Sequence, residues 1–140
     1  MAEIHFFSEG ISFKVPFPRK TTTWLQKIAK SEKRKIDSLT YIFCSEEYLL
    51  SLNKKYLRHS TYTDIISFDF SERGGSIQGE IYISIPRVKE NATTFSQPFE
   101  QELKRVISHG LLHFIGYRDK SKEEKVQMRL KEEACLSLWK

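Results

Sequence analysis

A chain of 140 residues, 39% of them hydrophobic and 29% charged, has the make-up of an ordinary globular domain that can bury a core without staples. No segment has the length of a membrane span, and Met1-Ala2-Glu3-Ile4-His5 lacks the basic start and apolar stretch of a secretory signal. Two cysteines, Cys44 and Cys135, give no disulfide framework and point to a reducing cytoplasm, while a net charge of +5 suits a polyanionic partner without requiring one.

In chain order, residues 3–8 and 11–15 read as short strands separated by Gly10 and ended by Pro16 and Pro18. Thr22 or Thr23 caps a helix predicted over residues 24–34. Residues 36–44 read as a buried strand in which Cys44 is a small core residue, and Ser45-Glu46-Glu47 opens a second helix through Tyr56. Residues 64–70 are β-rich, Arg73-Gly74-Gly75-Ser76 makes a turn, and residues 77–84 return as another strand. Residues 85–94 are helical, Pro98 opens a further helix, and an amphipathic helix carrying Cys135 on its apolar side closes the chain over residues 122–138. Strands grouped between helices indicate an α+β fold, one domain over residues 1–140 with a small mixed sheet packed by helices.

Phe6, Phe7, Phe13, Phe17 and Trp24 have the spacing of core residues rather than of a base-stacking platform. Tyr48, Tyr56 and Tyr62 are better placed for RNA, although burial of tyrosine favours packing there too. Basic residues gather at Arg19, Lys20, Lys27, Lys30, Lys33, Arg34 and Lys35, and again at Lys54, Lys55 and Arg58. Such clusters suit RNA or DNA, and equally a solvated helix face.

The chemistry concentrates in His109-Gly110-Leu111-Leu112-His113-Phe114-Ile115-Gly116-Tyr117-Arg118-Asp119. Phe99, Leu103, Val106, Ile107, Leu111, Phe114 and Ile115 recur at helical spacing, and His109 and His113, four apart, share the edge of that stripe. Gly116 suits the positive φ that ends a helix, freeing Asp119 to turn back toward the two imidazoles. A bare His-x-x-x-His is more often a packed pair than a ligand pair; the turn and the aspartate shift the balance toward metal. Two imidazoles and a carboxylate leave a fourth tetrahedral position for water, the layout of a catalytic zinc site.

Residues 109–119 resemble the His-Gly-x-Leu-His-Leu-x-Gly-Tyr-Asp-His segment of the YbeY family of bacterial endoribonucleases, the rRNA maturation factors. Residues 52–68, Leu52-Asn53-Lys54-Lys55-Tyr56 through Thr63-Asp64-Ile65-Ile66-Ser67-Phe68, are similar to the family's upstream motif, and Gly79-Glu80-Ile81-Tyr82-Ile83-Ser84 to its Gly-Asp-Ile-x-Ile-Ser. The resemblance implies a zincin-like ligand helix and a single-strand-specific, metal-dependent endoribonuclease of the cytoplasm. Its action would be rRNA maturation at the 3′ end of 16S rRNA and ribosome quality control, with RNA and the ribosome or ribosomal proteins as partners and no membrane. One Zn2+ per chain would be held by His109, His113 and Asp119.

The departures are specific. Asp119 stands where the family has a third histidine, which gives a harder, more anionic donor set. The family arginine thought to act in catalysis aligns with Leu57, so Arg58 is the candidate catalytic cation from the adjacent position. Ser60 and Tyr62 replace a family aspartate and proline, and His59 is a candidate fourth ligand or proton donor, or a solvent-facing loop residue. Either a metal-bound water or the 2′-hydroxyl of RNA could be the nucleophile. A zinc metalloprotease-like hydrolase is the competing enzyme class, but Gly110 occupies the position where such proteases carry their glutamate base. The non-enzymatic alternative is a ribosome-associated RNA-binding factor. Oligomeric state is left open.

Overall fold

Among the described residues, four strands and five α-helices follow one another as β1 (Glu3–Glu9), α1 (Pro18–Ser31), β2 (Ile36–Cys44), α2 (Glu46–Leu52), β3 (Ile65–Asp69), β4 (Ile77–Ser84), α3 (Ile85–Thr94), α4 (Phe99–Ile115) and α5 (Lys122–Ser137). The computed structural model describes residues 2–58, 63–72 and 75–140; His59, Ser60, Tyr62, Arg73 and Gly74 lie outside the described residues. The strands form one sheet in the order β1-β2-β4-β3. β1, β2 and β4 run parallel, and β3 pairs antiparallel with β4 at the edge. This is the mixed sheet and α+β class expected from sequence.

Strand alternation divides the side chains between two unequal faces. Leu39, Tyr41 and Phe43 of β2 and Ile77, Ile81 and Ile83 of β4 are buried with Trp24, Leu25 and Ile28 of α1 and Leu103, Val106, Ile107 and Leu111 of α4. Each such side chain contributes about 1.5–3 kcal/mol by leaving water. The opposite face holds a smaller cluster of Cys44, Leu49 and Ile66, covered by α2. Two hydrogen bonds pin the layers: buried Tyr41 Oη donates to the Ile107 carbonyl at 2.8 Å, and Trp24 Nε1 donates to the Cys135 carbonyl at 2.7 Å.

The N-terminal third departs from the sequence reading. Residues 11–15 form no strand; Phe13 packs on Phe43 and Phe99, and Val15 is buried. Their alternation reflects a segment lying one-sidedly over the core, with no ladder to join. α1 begins at Pro18, several residues before the predicted threonine cap, with Phe17 at its N-cap at φ 50°. Proline fits a first helical position, since its missing N–H would have no partner there. Thr22 and Thr23, the predicted caps, lie inside the helix, where Thr23 Oγ1 donates to the Arg19 carbonyl at 3.1 Å. Phe6 and Trp24 pack in the core as expected, whereas Phe7 and Phe17 are exposed. The second helix reaches Tyr56 only by widening into a π-helical turn over Asn53–Leu57. The remaining elements match the sequence reading to within a residue or two, and Ser121 and Glu124 close α5 with a capping box.

α4 lies close on the sheet because two glycines leave room for it. At Gly79 on β4 an added Cβ would stand 2.5 Å from the Phe114 ring and 2.8 Å from the Phe68 carbonyl oxygen. At Gly110 on α4 it would meet Ile81 at 2.8 Å and Ile65 at 3.1 Å. The far end of α4 is tied down by polar contacts. Arg34 Nη1 donates to the Ile115 carbonyl at 3.1 Å, a cation at the negative end of the helix. Tyr117 Oη and Lys131 Nζ donate to the two oxygens of Glu32 at 2.7 and 3.0 Å. Burial alone would raise the Glu32 pKa, but these two hydrogen bonds prevail and hold it below the ordinary glutamate range.

Two outcomes follow from these contacts. Gly79→Ala destabilises the fold by about 2–3 kcal/mol, because the Phe68 carbonyl is backbone and cannot withdraw, and this outweighs the roughly 0.5–1 kcal/mol that alanine gains over glycine in a strand. An unchanged urea midpoint would rule out the close approach. Glu32→Gln destabilises by about 1 kcal/mol at neutral pH. A carboxylate whose folded pKa is lowered stabilises above its unfolded pKa and loses that contribution as pH falls through the folded one. The gap between Glu32→Gln and the parent protein, followed by thermal unfolding, therefore closes on acidification below the ordinary glutamate pKa.

Candidate metal centre

The centre is built from the last turns of α4 and the loop after it. His109 and His113 face the same way from successive turns, their rings 4.6 Å apart between centroids. Gly116 ends the helix at φ 126°, a backbone conformation that side chains other than hydrogen rarely tolerate. The Gly116 and Tyr117 N–H groups then donate back to the Leu112 carbonyl at 3.1 and 3.0 Å, which reverses the chain. That reversal, held from outside by Glu32 through Tyr117, brings Asp119 over the two imidazoles.

His109 Nε2 lies 3.0 Å from His113 Nε2 and 3.3 Å from Asp119 Oδ2, and His113 Nε2 lies 3.5 Å from the same oxygen. Donors held ~2.0–2.2 Å from a tetrahedral ion stand ~3.3–3.6 Å from one another. The observed triangle therefore has the size of one face of such a site. The electrostatics agree. His109 Nδ1 is 2.5 Å from Glu132 Oε2, a contact that favours the tautomer with its proton on Nδ1, in which Nε2 presents a lone pair. A lone pair and a carboxylate oxygen turned toward a second imidazole nitrogen need a cation or a proton between them. Burial, reinforced by neighbouring His109, holds His113 below the usual imidazole pKa, which favours the neutral ligand form. Among the described residues this is the one group of three donors close enough to share an ion.

The side chains are 15%, 31% and 40% exposed for His109, His113 and Asp119, so the triangle is sheltered but reachable. It opens on a cleft of about 330 Å³. Ile65 and Ser67, on the α4 side of edge strand β3, form one wall with Thr63 and Asp64; Arg105 stands at one end. Asp64 accepts from Asn91 Nδ2 at 3.2 Å, and burial raises its pKa above the usual aspartate value. Arg58, by contrast, is exposed at φ 55° where the π-helical turn ends, and does not line this cleft. Leu57 beside it is 47% exposed.

Several residues of the centre lie outside the sequence motifs. Arg105 precedes His109 by one helical turn on the same face, a spacing that could have marked it. Glu132 comes from α5 with no local signal tying it to His109, and Glu102 is a buried acid inside an otherwise apolar helix face. Part of the basic cluster also has a structural task, since Arg34 is bound to α4. Tyr48 and Tyr56 belong to a run of ring contacts through Tyr82 and Phe68 on the other face of the sheet. Both cysteines are buried, as expected, and burial pushes each thiol up to about 12. No helix among the described residues is long and apolar enough to cross a membrane.

Comparison with known proteins agrees with this geometry. The family model described as Endoribonuclease YbeY matches residues 5–140. The chain is 52% identical over 137 residues to the endoribonuclease YbeY of Cytophaga hutchinsonii, covering 98% of this chain and 96% of that protein. It is 47% identical over 137 residues to that of Christiangramia forsetii, covering 98% and 94%. The solution structure of TM1509 from Thermotoga maritima superposes with a TM-score of 0.63 at 29% identity, covering 97% of this chain and 91% of that one. The agreement extends from the amino-terminal strand to the closing helix, and the chain belongs to the endoribonuclease YbeY family.

Proposed function

We propose that this protein is a zinc-dependent endoribonuclease that cleaves single-stranded RNA during rRNA maturation, at the 3′ end of 16S rRNA, and in ribosome quality control. The observation that carries the reading is the triangle of His109, His113 and Asp119 donor atoms, 3.0–3.5 Å apart and open to a cleft, in a chain of this family. One Zn2+ per chain is the cofactor, RNA the substrate, the ribosome or its proteins the partners and the cytoplasm the site of action.

When bound, the ion supplies Lewis acidity toward a phosphate oxygen and lowers the pKa of a water in its open position. His109 and His113 would hold it through ring nitrogens, and Asp119 would add a charge that offsets part of the ion's own. Ile65 and Ser67 line the wall along which a phosphodiester can lie. Arg58, exposed at the end of the π-helical turn, is the candidate cation for the phosphate.

Geometry at Gly110 speaks against the metalloprotease alternative. A glutamate there would start from a Cβ pressed against Ile81 and Ile65, which leaves the side chain no room at the position where such proteases carry their base.

The deciding experiment combines elemental analysis with cleavage of a single-stranded RNA, on the purified protein and on Asp119→Ala. About one zinc per chain is expected, with metal content and cleavage both reduced at least ~10-fold in the variant. Asp119→His, which restores a third imidazole, keeps both. A metal-free protein that binds RNA without cutting it would replace the enzyme reading with that of an RNA-binding factor.

A further inference from the structure

Between α4 and α5 three charged side chains form a chain of contacts that ends on His109. Glu102, 2% exposed, receives Arg105 Nε and Nη2 at 2.9 and 2.6 Å. Arg105 Nη1 donates onward to Glu132 Oε1 at 3.1 Å, and Glu132 Oε2 takes His109 Nδ1 at 2.5 Å. The Glu132 side chain is only 6% exposed. One guanidinium thus faces two nearly dehydrated carboxylates, and their second negative charge is turned to the imidazole.

We infer that Glu132 is a positioning residue for the metal centre: it fixes His109 in the tautomer and rotation that aim Nε2 at the ion, and Arg105 fixes Glu132 in turn. The inference rests on the metal-centre reading above. Imidazole has two nitrogens, and only a partner that takes the proton of one commits the other to coordination. Glu132 does so from a different helix, so the aim of His109 depends on α5 being docked. Arg105 leaves Glu132 little choice of rotamer, because its planar fork is already fixed by two bonds to Glu102. A carboxylate partner also strengthens the imidazole as a donor, which an amide does not. Arg105 lines the cleft, but its charge is directed at Glu102 and Glu132 and it acts through them.

The test uses zinc alone as probe, with its dissociation constant measured by competition against a chromophoric chelator. Glu132→Gln, which keeps the shape and an acceptor oxygen but removes the charge, is expected to weaken zinc by 10–100-fold. Arg105→Lys, which cannot hold both carboxylates at three points, weakens it several-fold. Glu133→Gln, on the exposed side of α5, leaves it unchanged. On RNA the Glu132→Gln loss falls on kcat, with KM nearly constant. Nitrogen-15 spectra of the parent protein's histidines give a readout independent of any variant's folding: the neutral His109 ring carries its proton on Nδ1. Undiminished zinc affinity in Glu132→Gln would overturn the inference while leaving the metal centre standing, whereas a proton on His109 Nε2 in the zinc-loaded protein would overturn both. A parent protein that takes up no zinc would overturn both.

Discussion

The closeness of α4 to the sheet is the constraint on which the rest of the molecule depends. Gly79 gives way to the Phe114 ring and Gly110 to Ile81 and Ile65, and any larger residue at either position pushes the helix off the strands. Contact at this distance sets the rotation of α4 about its axis, because the face carrying Gly110 must look inward. His109 and His113 then have no freedom but to emerge along the border of edge strand β3, where Ile65 and Ser67 meet them across the cleft. Tyr41 reinforces the same placement by donating to the Ile107 carbonyl from below. Two small residues in the motifs are therefore as necessary to the site as its three donors, although neither offers an atom to an ion.

A second level of organisation comes from the C-terminal helix. α5 reaches the centre at Glu132, α1 through the Cys135 carbonyl, and Glu32 through Lys131. These contacts lie along one helix face with Met128 and Cys135 buried between them. The loop that carries Asp119 is thus bounded on one side by α4 and on the other by a helix that itself grips His109. Coordination by residues from one short segment would ordinarily be loose. Here it is stiffened by distant side chains, as a buried ionic group demands when it must be paired to be tolerated.

How far the sequence revealed this depended on the range of the forces involved. The ligand helix, its glycine stop and the aspartate beyond it are local, and their periodicity can be read directly from residues 99–119. Strands β2 and β4 announce themselves in the same way through their apolar runs. Residues 11–15 misled because alternation records which side of a segment is buried, whether or not a neighbouring strand is present; Val15 is buried and Phe13 half-buried without a ladder. Pro18 misled because one residue type both terminates strands and opens helices, and only the Phe17 backbone decides between them. The Glu102-Arg105-Glu132-His109 chain was illegible for a different reason. Arg105 and Glu132 are 27 positions apart, and nothing short of the packing of α4 on α5 brings them together. Phe7 and Phe17, apolar yet exposed, show the converse: hydrophobicity states what a residue favours and not what the fold has room to cover.

The two thiols acquire a meaning from where they are buried. Cys44 belongs to the small cluster under α2, and Cys135 to the main core on the helix that carries Glu132. Neither is a nucleophile in the closed molecule, since burial keeps each protonated at neutral pH. Each becomes reactive only when its own region opens, so alkylation of Cys44 times the fluctuations of the α2 side and alkylation of Cys135 times the undocking of α5. The protein carries two internal clocks, and the second ticks with the opening of the contact between Glu132 and His109.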